Sequence, residues 1–378
     1  MNTLTFIVPG LLDPVPYLDQ LPVSDLPELP VFSKMLSRGE FSSSASPDNS
    51  ENNFYRCLIK ELISNNNPDS TVLLPSMAGL AYYFDSQFSL DNKWIMRADP
   101  SFMAVDRDQL VLAQTGSLDI TIEEAKKLAD EINLFFNDFD EEKFWTLEAV
   151  SPDRWYIISD KPIRLHSIPP EKVLGQSIKS FLFSNIGESH GNEDSSHWLS
   201  LFNEFQMILH QSDINKKRIA EKKAPINSLW FWGAGKSIES SVDYSALSLS
   251  HAAKTVYSDN HFAQGLSQLN KYRCSSLPEK YELLNHDKSE QQVIYTIEHF
   301  SQAIQNKDIF SWVGLLEQFE HHYLTLLVQD LYTGKLDQVE FICPSGTKLL
   351  LTKKLLKRWW KKKHQYYSFL STDIHFKE

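Results

Sequence analysis

The densest group of side chains able to do chemistry lies between Arg97 and Asp108, where Arg97, Asp99, Asp106, Arg107 and Asp108 crowd together. Guanidinium groups at this spacing can bind an anionic ligand, or they can pair with the neighbouring carboxylates; a run of mixed charge is usually a solvated face. A second candidate is Asp259-Asn260-His261, a carboxylate and an imidazole two residues apart. Both are donors that divalent cations take, but a site built on them needs at least two further ligands. The third candidate is C-terminal. Lys353, Lys354, Lys357, Arg358, Lys361, Lys362 and Lys363 surround Trp359-Trp360, with Tyr366-Tyr367 just beyond. A basic stretch interleaved with aromatics can hold phosphates, single-stranded nucleic acid or a membrane surface. The expected arrangement is plainer: a surface helix whose Leu355, Leu356, Trp359 and Trp360 dock on the body while the lysines face water.

Three cysteines, Cys57, Cys274 and Cys343, are odd in number and far apart, with no CxxC pair. Neither a disulfide framework nor a thiolate zinc site is indicated, and the expected compartment is the reducing cytoplasm. The chain of 378 residues is 42% hydrophobic and 12% aromatic, enough to bury a full-sized core. Its net charge of -12 argues against general nucleic-acid binding, which rests on a positive surface. The apolar run 4–12 is broken by Pro9-Gly10 and lacks a basic flank, so it is a poor signal peptide. No stretch approaches the roughly 20 apolar residues of a spanning helix.

The elements that must position these groups are organised around residues 205–236. Trp198, Leu201, Phe202, Phe205, Ile208 and Leu209 recur at three-and-four spacing and predict a helix over 196–211. A basic loop follows, and then 227–232 reads as a buried strand closed by Gly233-Ala234-Gly235, where backbone must pass close to something. Residues 3–8 read as a buried first strand ended by Pro9-Gly10. Residues 29–39 form a short amphipathic helix with a glycine stop, and 42–53 a polar loop with almost nothing to bury. A helix over 54–63, a strand over 71–74, a helix over 121–136 with Glu123-Glu124 in its first turn, and strands at 154–158, 254–257 and 338–342 complete the outline.

The series Leu209-His210, Asn215, Arg218, Pro225, Asn227, Trp230, Trp232-Gly233 and Gly235 resembles a block of the archaeal-type, cofactor-independent phosphoglycerate mutases of the alkaline phosphatase superfamily. It is closer still to a bacterial branch called "phosphoglycerate mutase" or "Rpf-type regulatory protein". The resemblance implies an α/β fold of alkaline-phosphatase-like architecture, a central β-sheet flanked by helices with an inserted smaller α/β subdomain. It implies a core domain over 1–96 and 191–378 and an inserted subdomain over 97–190, with 183–196 as the crossing back. It also places Ser76 where the family has its nucleophile, although a serine hydroxyl needs a base or a metal to act as one and otherwise caps a helix.

In the resembling enzymes two divalent ions activate the serine and carry the phosphoryl group, because such transfer is nearly all positioning and charge neutralisation. The ligand places are filled differently here. Pro9-Gly10 stands for the first Asp-Gly pair, Ser301 and Gln305 stand for an Asp and a His, and Cys343-Pro344-Ser345-Gly346 for the last Asp-His pair. His299 and His321-His322 are the nearest imidazoles, the pair on a helix over 310–331 where neighbours point in different directions. The resemblance puts Asp259 and His261 in a turn that is not a metal site.

The expectation is therefore a degenerate phosphoglycerate mutase-like protein, leaning away from enzyme activity, without metal or cofactor, acting as a regulatory or ligand-sensing protein. Ser76 is its vestigial nucleophile position. Arg97, Arg107, Arg218, Asn227, Gly235 and Lys236 are the candidates to hold a small phosphorylated or anionic ligand in the old cleft. Two alternatives stay open: a metal-dependent phosphomutase or phosphatase with rearranged ligands, and an interaction protein that works through 353–367.

Overall fold

The computed structural model describes residues 3–16, 18, 21–43, 53–63, 75–106, 109–116, 118–139, 143–165, 167–181, 192–240, 254–281, 292–305 and 308–370. Most of the polar loop read over 42–53, the strand read over 71–74, Arg107 with Asp108, and residues 183–191 of the crossing segment lie outside them.

Strands are numbered in chain order: β1 (Thr3–Ile7), β2 (Glu40–Ser43), β3 (Trp94–Asp106), β4 (Gln109–Thr115), β5 (Trp145–Ala149) and β6 (Trp155–Ser159). Then come β7 (Ser228–Lys236), β8 (Lys254–Tyr257), β9 (Arg273–Ser275), β10 (Gln292–Thr296), β11 (Gln338–Ile342) and β12 (Thr347–Thr352). With the helices between them they make a mixed α/β fold. The chain divides into two compact units, one of Met1–Ser70 with Tyr244–Glu378 and one of Thr71–Asp243.

The first unit carries a seven-stranded sheet in the order β2-β12-β11-β1-β10-β8-β9. From β11 to β9 the strands are parallel, while β12 and β2 close one side antiparallel. The sequence explains why β1 is central: Leu4, Phe6 and Ile7 are all buried, a continuous apolar run suited to a strand covered on both faces. An aromatic ladder then fixes the register. Phe6 lies opposite both Tyr295 and Phe341, and Tyr295 lies opposite Tyr257. The rings stack with centroids 4.7, 5.1 and 4.8 Å apart. Such pairs are worth roughly 0.5–1.5 kcal/mol each beyond the area they bury, and a one-residue slip would break the whole series.

The stretch read as one helix over 310–331 is two α-helices, Ile309–Phe319 and Thr325–Thr333, joined by a π-turn over Glu320–Leu324. The turn has a use. The helix Pro30–Arg38 has Leu29 at its N-cap, with no side chain to accept its first N–H groups. Glu320, buried, accepts them instead from Val31 (3.3 Å) and Phe32 (2.9 Å).

The second unit carries a five-stranded sheet, β4-β3-β6-β5, with β7 on the other edge of β3. Phe136, Trp145, Phe205 and Phe231 meet between this sheet and the helices Ile122–Phe139 and Asn192–Gln211. The unit is wider than the 97–190 read from the sequence, because β3 pairs with β7 from Trp94↔Lys236 to Ser101↔Ser228. That pairing draws residues 205–236 into the second unit rather than the core. Nor does β7 stop at Gly233. It runs on to Lys236, with a register shift in β3 between Ile95 and Arg97.

The C-terminal segment also departs from expectation. Its helix lasts one turn, Lys353–Leu356, so the spacing that would put Trp359 and Trp360 beside Leu355 and Leu356 no longer applies. Leu355 and Leu356 are buried, and Tyr366 takes the docking role further on, whereas Trp359 is 80% and Trp360 65% exposed.

Candidate functional site

In a largely parallel sheet, the natural place for a site is the edge where the strands' C-terminal ends come together. Here β1, β8, β10 and β11 end side by side. After β1 the chain turns at Gly10 with φ +86°, a left-handed conformation that favours glycine. The turn is packed: a Cβ on Gly10 would lie 2.8 Å from both the Phe300 carbonyl carbon and the Ser301 nitrogen. Gly10 donates its N–H to Asp13 Oδ2 (2.8 Å) and accepts the Trp312 indole N–H on its carbonyl (3.0 Å). The other Asp13 oxygen takes a short hydrogen bond from the Ser345 hydroxyl. Both oxygens of the carboxylate nearest the end of β1 are thus used to tie two loops together.

Side chains at the remaining strand ends are also engaged in hydrogen bonds. The Ser301 hydroxyl donates to the Glu298 carbonyl (2.8 Å). The Cys343 thiol donates to the Val8 carbonyl (3.1 Å) and accepts the Leu12 N–H (3.3 Å). Burial pushes that thiol well above its ordinary pKa, with Asp13 adding to the effect, so it is neither a ready nucleophile nor a ready metal ligand. After β8, Asp259 accepts the Leu277 N–H (3.1 Å), and Asn260 caps the helix that His261 begins. Among the described residues no group of three His, Cys, Asp or Glu side chains lies close enough to hold a metal ion.

The other sequence candidates belong to the second unit. Half-buried Ser76 is the N-cap of the helix Met77–Ser86 and accepts the Gly79 N–H on its hydroxyl (3.0 Å). The backbone of β7 passes directly against it: the Ser76 N–H donates to the Lys236 carbonyl (2.9 Å), and a Cβ on Gly235 would lie 2.7 Å from Ser76 Cβ. Close passage was what the Gly233-Ala234-Gly235 pattern required. Ser76→Ala is expected to cost about 1 kcal/mol of stability, and Ser76→Asp, which still caps, to keep most of it. Urea unfolding of the three proteins checks this, and equal loss in both variants would show that the cap is not what the hydroxyl contributes.

Arg97 is inside the protein. It and Asp99, two apart on β3, share one face of the strand, and the guanidinium reaches Asp99 Oδ1 through Nε (2.8 Å) and a terminal nitrogen (2.7 Å). The Trp232 indole donates to Asp99 Oδ2 (2.6 Å), and the Tyr156 and Trp232 rings each lie 5.2 Å from the guanidinium carbon. Burial works against the Arg97 charge, but Asp99, Tyr156 and Asp85 together outweigh this and hold the guanidinium above its ordinary pKa. Burial pushes the Asp99 carboxyl up, while Arg97 and the indole oppose it. The charged cluster is therefore resolved at Arg97 into internal pairing.

Arg218 is fully buried as well. It donates to the carbonyls of Ala224 (3.0 Å), Asp119 (3.1 Å) and Leu118, and pairs with Glu124 (3.0 Å) in the first turn of Ile122–Phe139. Asn227 bridges the backbone of Met103 through its N–H and its carbonyl, each at 2.8 Å. Lys236 is exposed and pairs with Glu239 (3.3 Å). Arg218, Asn227 and Lys236 thus each have an intramolecular partner, and among the described candidates the fold brings Gly235 and Lys236 to Ser76. Sequence reasoning missed a second, partly buried set. Arg154 forks onto Asp85 (2.9 and 3.1 Å), Tyr156 donates to the same carboxylate (2.6 Å), and Tyr82 donates to Glu148 (3.1 Å). Its partners lie more than 60 residues apart, so no local pattern announces it.

With this geometry in place, three likenesses bear on the chain. The PH0037 protein from Pyrococcus horikoshii matches 92% of this chain and 86% of its own, with a TM-score of 0.51 and 12% identity. The likeness shows the fold. A cofactor-independent phosphoglycerate mutase from Thermoplasma acidophilum matches 98% of this chain and 95% of its own at a TM-score of 0.40 and 14% identity. In sequence, 70 residues are 33% identical to a probable 2,3-bisphosphoglycerate-independent phosphoglycerate mutase from Geobacter sulfurreducens. That match takes in 18% of this chain and spans only 16% of the relative's length. No family model matches the chain.

The paired divalent ions that the sequence resemblance implies would need carboxylates and imidazoles at these strand ends. The residues present do not fit them: Pro9 offers no ligating atom in the place of the first carboxylate, burial pushes the Cys343 thiol well above its ordinary pKa, and Asp13 accepts hydrogen bonds from Gly10 and Ser345.

Proposed function

We propose that this is a phosphoglycerate mutase-like protein of the alkaline phosphatase superfamily that has given up phosphoryl transfer. In this reading it acts in the cytoplasm as a regulatory or ligand-sensing protein for a small phosphorylated or anionic molecule. The observation that carries the reading is the end of β1, where Pro9, a side chain with no metal-ligating atom, takes the place of the first metal-binding carboxylate and leads into the packed turn at Gly10. The commitment of Asp13, Ser345 and Cys343 to hydrogen bonds within and between the loops at these strand ends supports it.

The test is direct. Freshly purified protein is expected to hold no stoichiometric zinc, manganese or magnesium, and to show no mutase turnover of 3-phosphoglycerate when manganese is supplied. Two metal ions per chain, or a manganese-dependent rate abolished by Ser76→Ala, would overturn the reading. Ligand sensing has its own check: a phosphate ester at 100 times its Kd raises stability by about 2.7 kcal/mol, visible as a higher melting temperature. No shift with millimolar sugar phosphates or phosphoglycerates would remove the sensing role.

A further inference from the structure

The loop that displays Trp359 and Trp360 has no part in that reading. It is fixed at both ends, by Leu355 and Leu356 on one side and Tyr366 and Leu370 on the other, all buried. Its path is held as well. The Leu356 carbonyl accepts from Arg38 (2.5 Å) and the Tyr332 hydroxyl (3.2 Å), and the His364 N–H donates to the Ser37 hydroxyl (3.0 Å). Between these anchors the chain turns through Arg358 N–H to Leu355 carbonyl (3.1 Å) and Lys361 N–H to Arg358 carbonyl (3.2 Å). An ordered loop with two adjacent exposed tryptophans is an unusual expenditure of apolar surface, since aromatic side chains of this size ordinarily supply core or interface contacts.

The charge around the pair is one-sided. Residues 353–363 hold seven basic side chains and no acidic one, so the rest of the chain sits at -19 when the whole is at -12. Lys353, Lys354, Lys357, Lys361, Lys362 and Lys363 are all exposed, and Arg358 leans toward Glu40 (3.9 Å). The two indoles meet edge to face, centroids 6.2 Å apart at 84°. They form a blunt apolar tip rather than a slot between parallel rings.

We propose that residues 353–363 form a peripheral docking tip for an anionic lipid bilayer, with Trp359 and Trp360 entering the headgroup region and the lysines pairing with lipid phosphates and carboxylates. Indoles favour that interfacial depth, and juxtaposed lysines gain from the negative surface potential of an anionic leaflet. Charge complementarity selects a bilayer over a polynucleotide. A plane of anions can meet the exposed lysines of 353–363 together, although the rest of the chain is acidic. A single strand needs a basic groove followed over several nucleotides and aromatic faces on which bases stack. Among the described residues no helix is long and apolar enough to cross a membrane, so the contact is with the surface.

The experiment is vesicle co-sedimentation of the full chain, with phosphatidylcholine alone and with 30% phosphatidylserine, at low and physiological salt. Binding is expected only to the anionic vesicles and should weaken with salt. The variant K357Q/K361Q/K362Q should lose roughly a hundredfold in affinity, at roughly fivefold per lysine. W359A/W360A should lose at least about tenfold, because the indoles supply the apolar part of the contact. Melting temperatures of both variants should match the wild type, since none of the five side chains is buried. Absence of wild-type binding to anionic vesicles overturns the proposal. So does binding that survives both variants, or tighter binding to a single-stranded oligonucleotide than to the vesicles.

Discussion

Arg97→Ala and Asp99→Ala are each expected to lower the unfolding free energy by about 3–5 kcal/mol, the usual result of leaving one member of a buried ion pair without its partner. Removing Arg97 strands a carboxylate that only the Trp232 indole still serves; removing Asp99 strands a guanidinium against two aromatic faces. The double replacement Arg97→Met with Asp99→Leu should cost far less than the two alanine variants combined, because desolvation of two charges is no longer paid for. Denaturant unfolding of the four proteins makes the comparison. Single losses below about 1 kcal/mol would mean that the pair is solvated and that Arg97 is again available to a ligand.

The second large effect is expected at Gly10. A left-handed residue with a Cβ costs about 1–2 kcal/mol, and forcing a methyl against fixed backbone adds about 1–3 kcal/mol, so Gly10→Ala should lose about 2–5 kcal/mol. Gly334 provides the comparison. It too has a left-handed φ, +79°, but nothing lies within 4 Å of the Cβ it would gain, so Gly334→Ala should show the backbone term alone. Thermal unfolding distinguishes them: if the two variants lose equal stability, the turn after β1 is open rather than packed against Phe300 and Ser301.

Periodicity made the scaffold legible because burial alone sets it. The strands 254–257 and 338–342 lie where their apolar runs place them, and the first strand and the helix preceding residue 212 match to within a few residues. β3 was not legible as a strand. It carries Arg97, Asp99 and Pro100, residues that local propensity assigns to a surface, and only partners on β6 and β7 let it remain buried. Arg218 hides its role for a related reason, since the carbonyls it serves at Leu118 and Asp119 are about a hundred residues away. Trp359 and Trp360 were misplaced through an assumed helical continuation, and a helix of one turn has no face for them to share with Leu355. Ser76 was readable as a cap because the capping interaction spans only three residues.

The central position of β1 sets the order in which this chain can assemble during synthesis. Its neighbours, β10 and β11, begin at Gln292 and Gln338, so this strand is made long before it can be paired. At roughly 5–20 residues per second, it waits about 15–60 s for β10 to leave the ribosome. The unit over 71–243 is contiguous and has all its strands in hand before then. It can close while the apolar run Leu4–Ile7 is still without a sheet. The helix Pro30–Arg38 waits for Glu320 in the same way. Ordering by such distant contacts makes folding slow, and it leaves the N-terminal segment as the part of the nascent chain with most need of a chaperone.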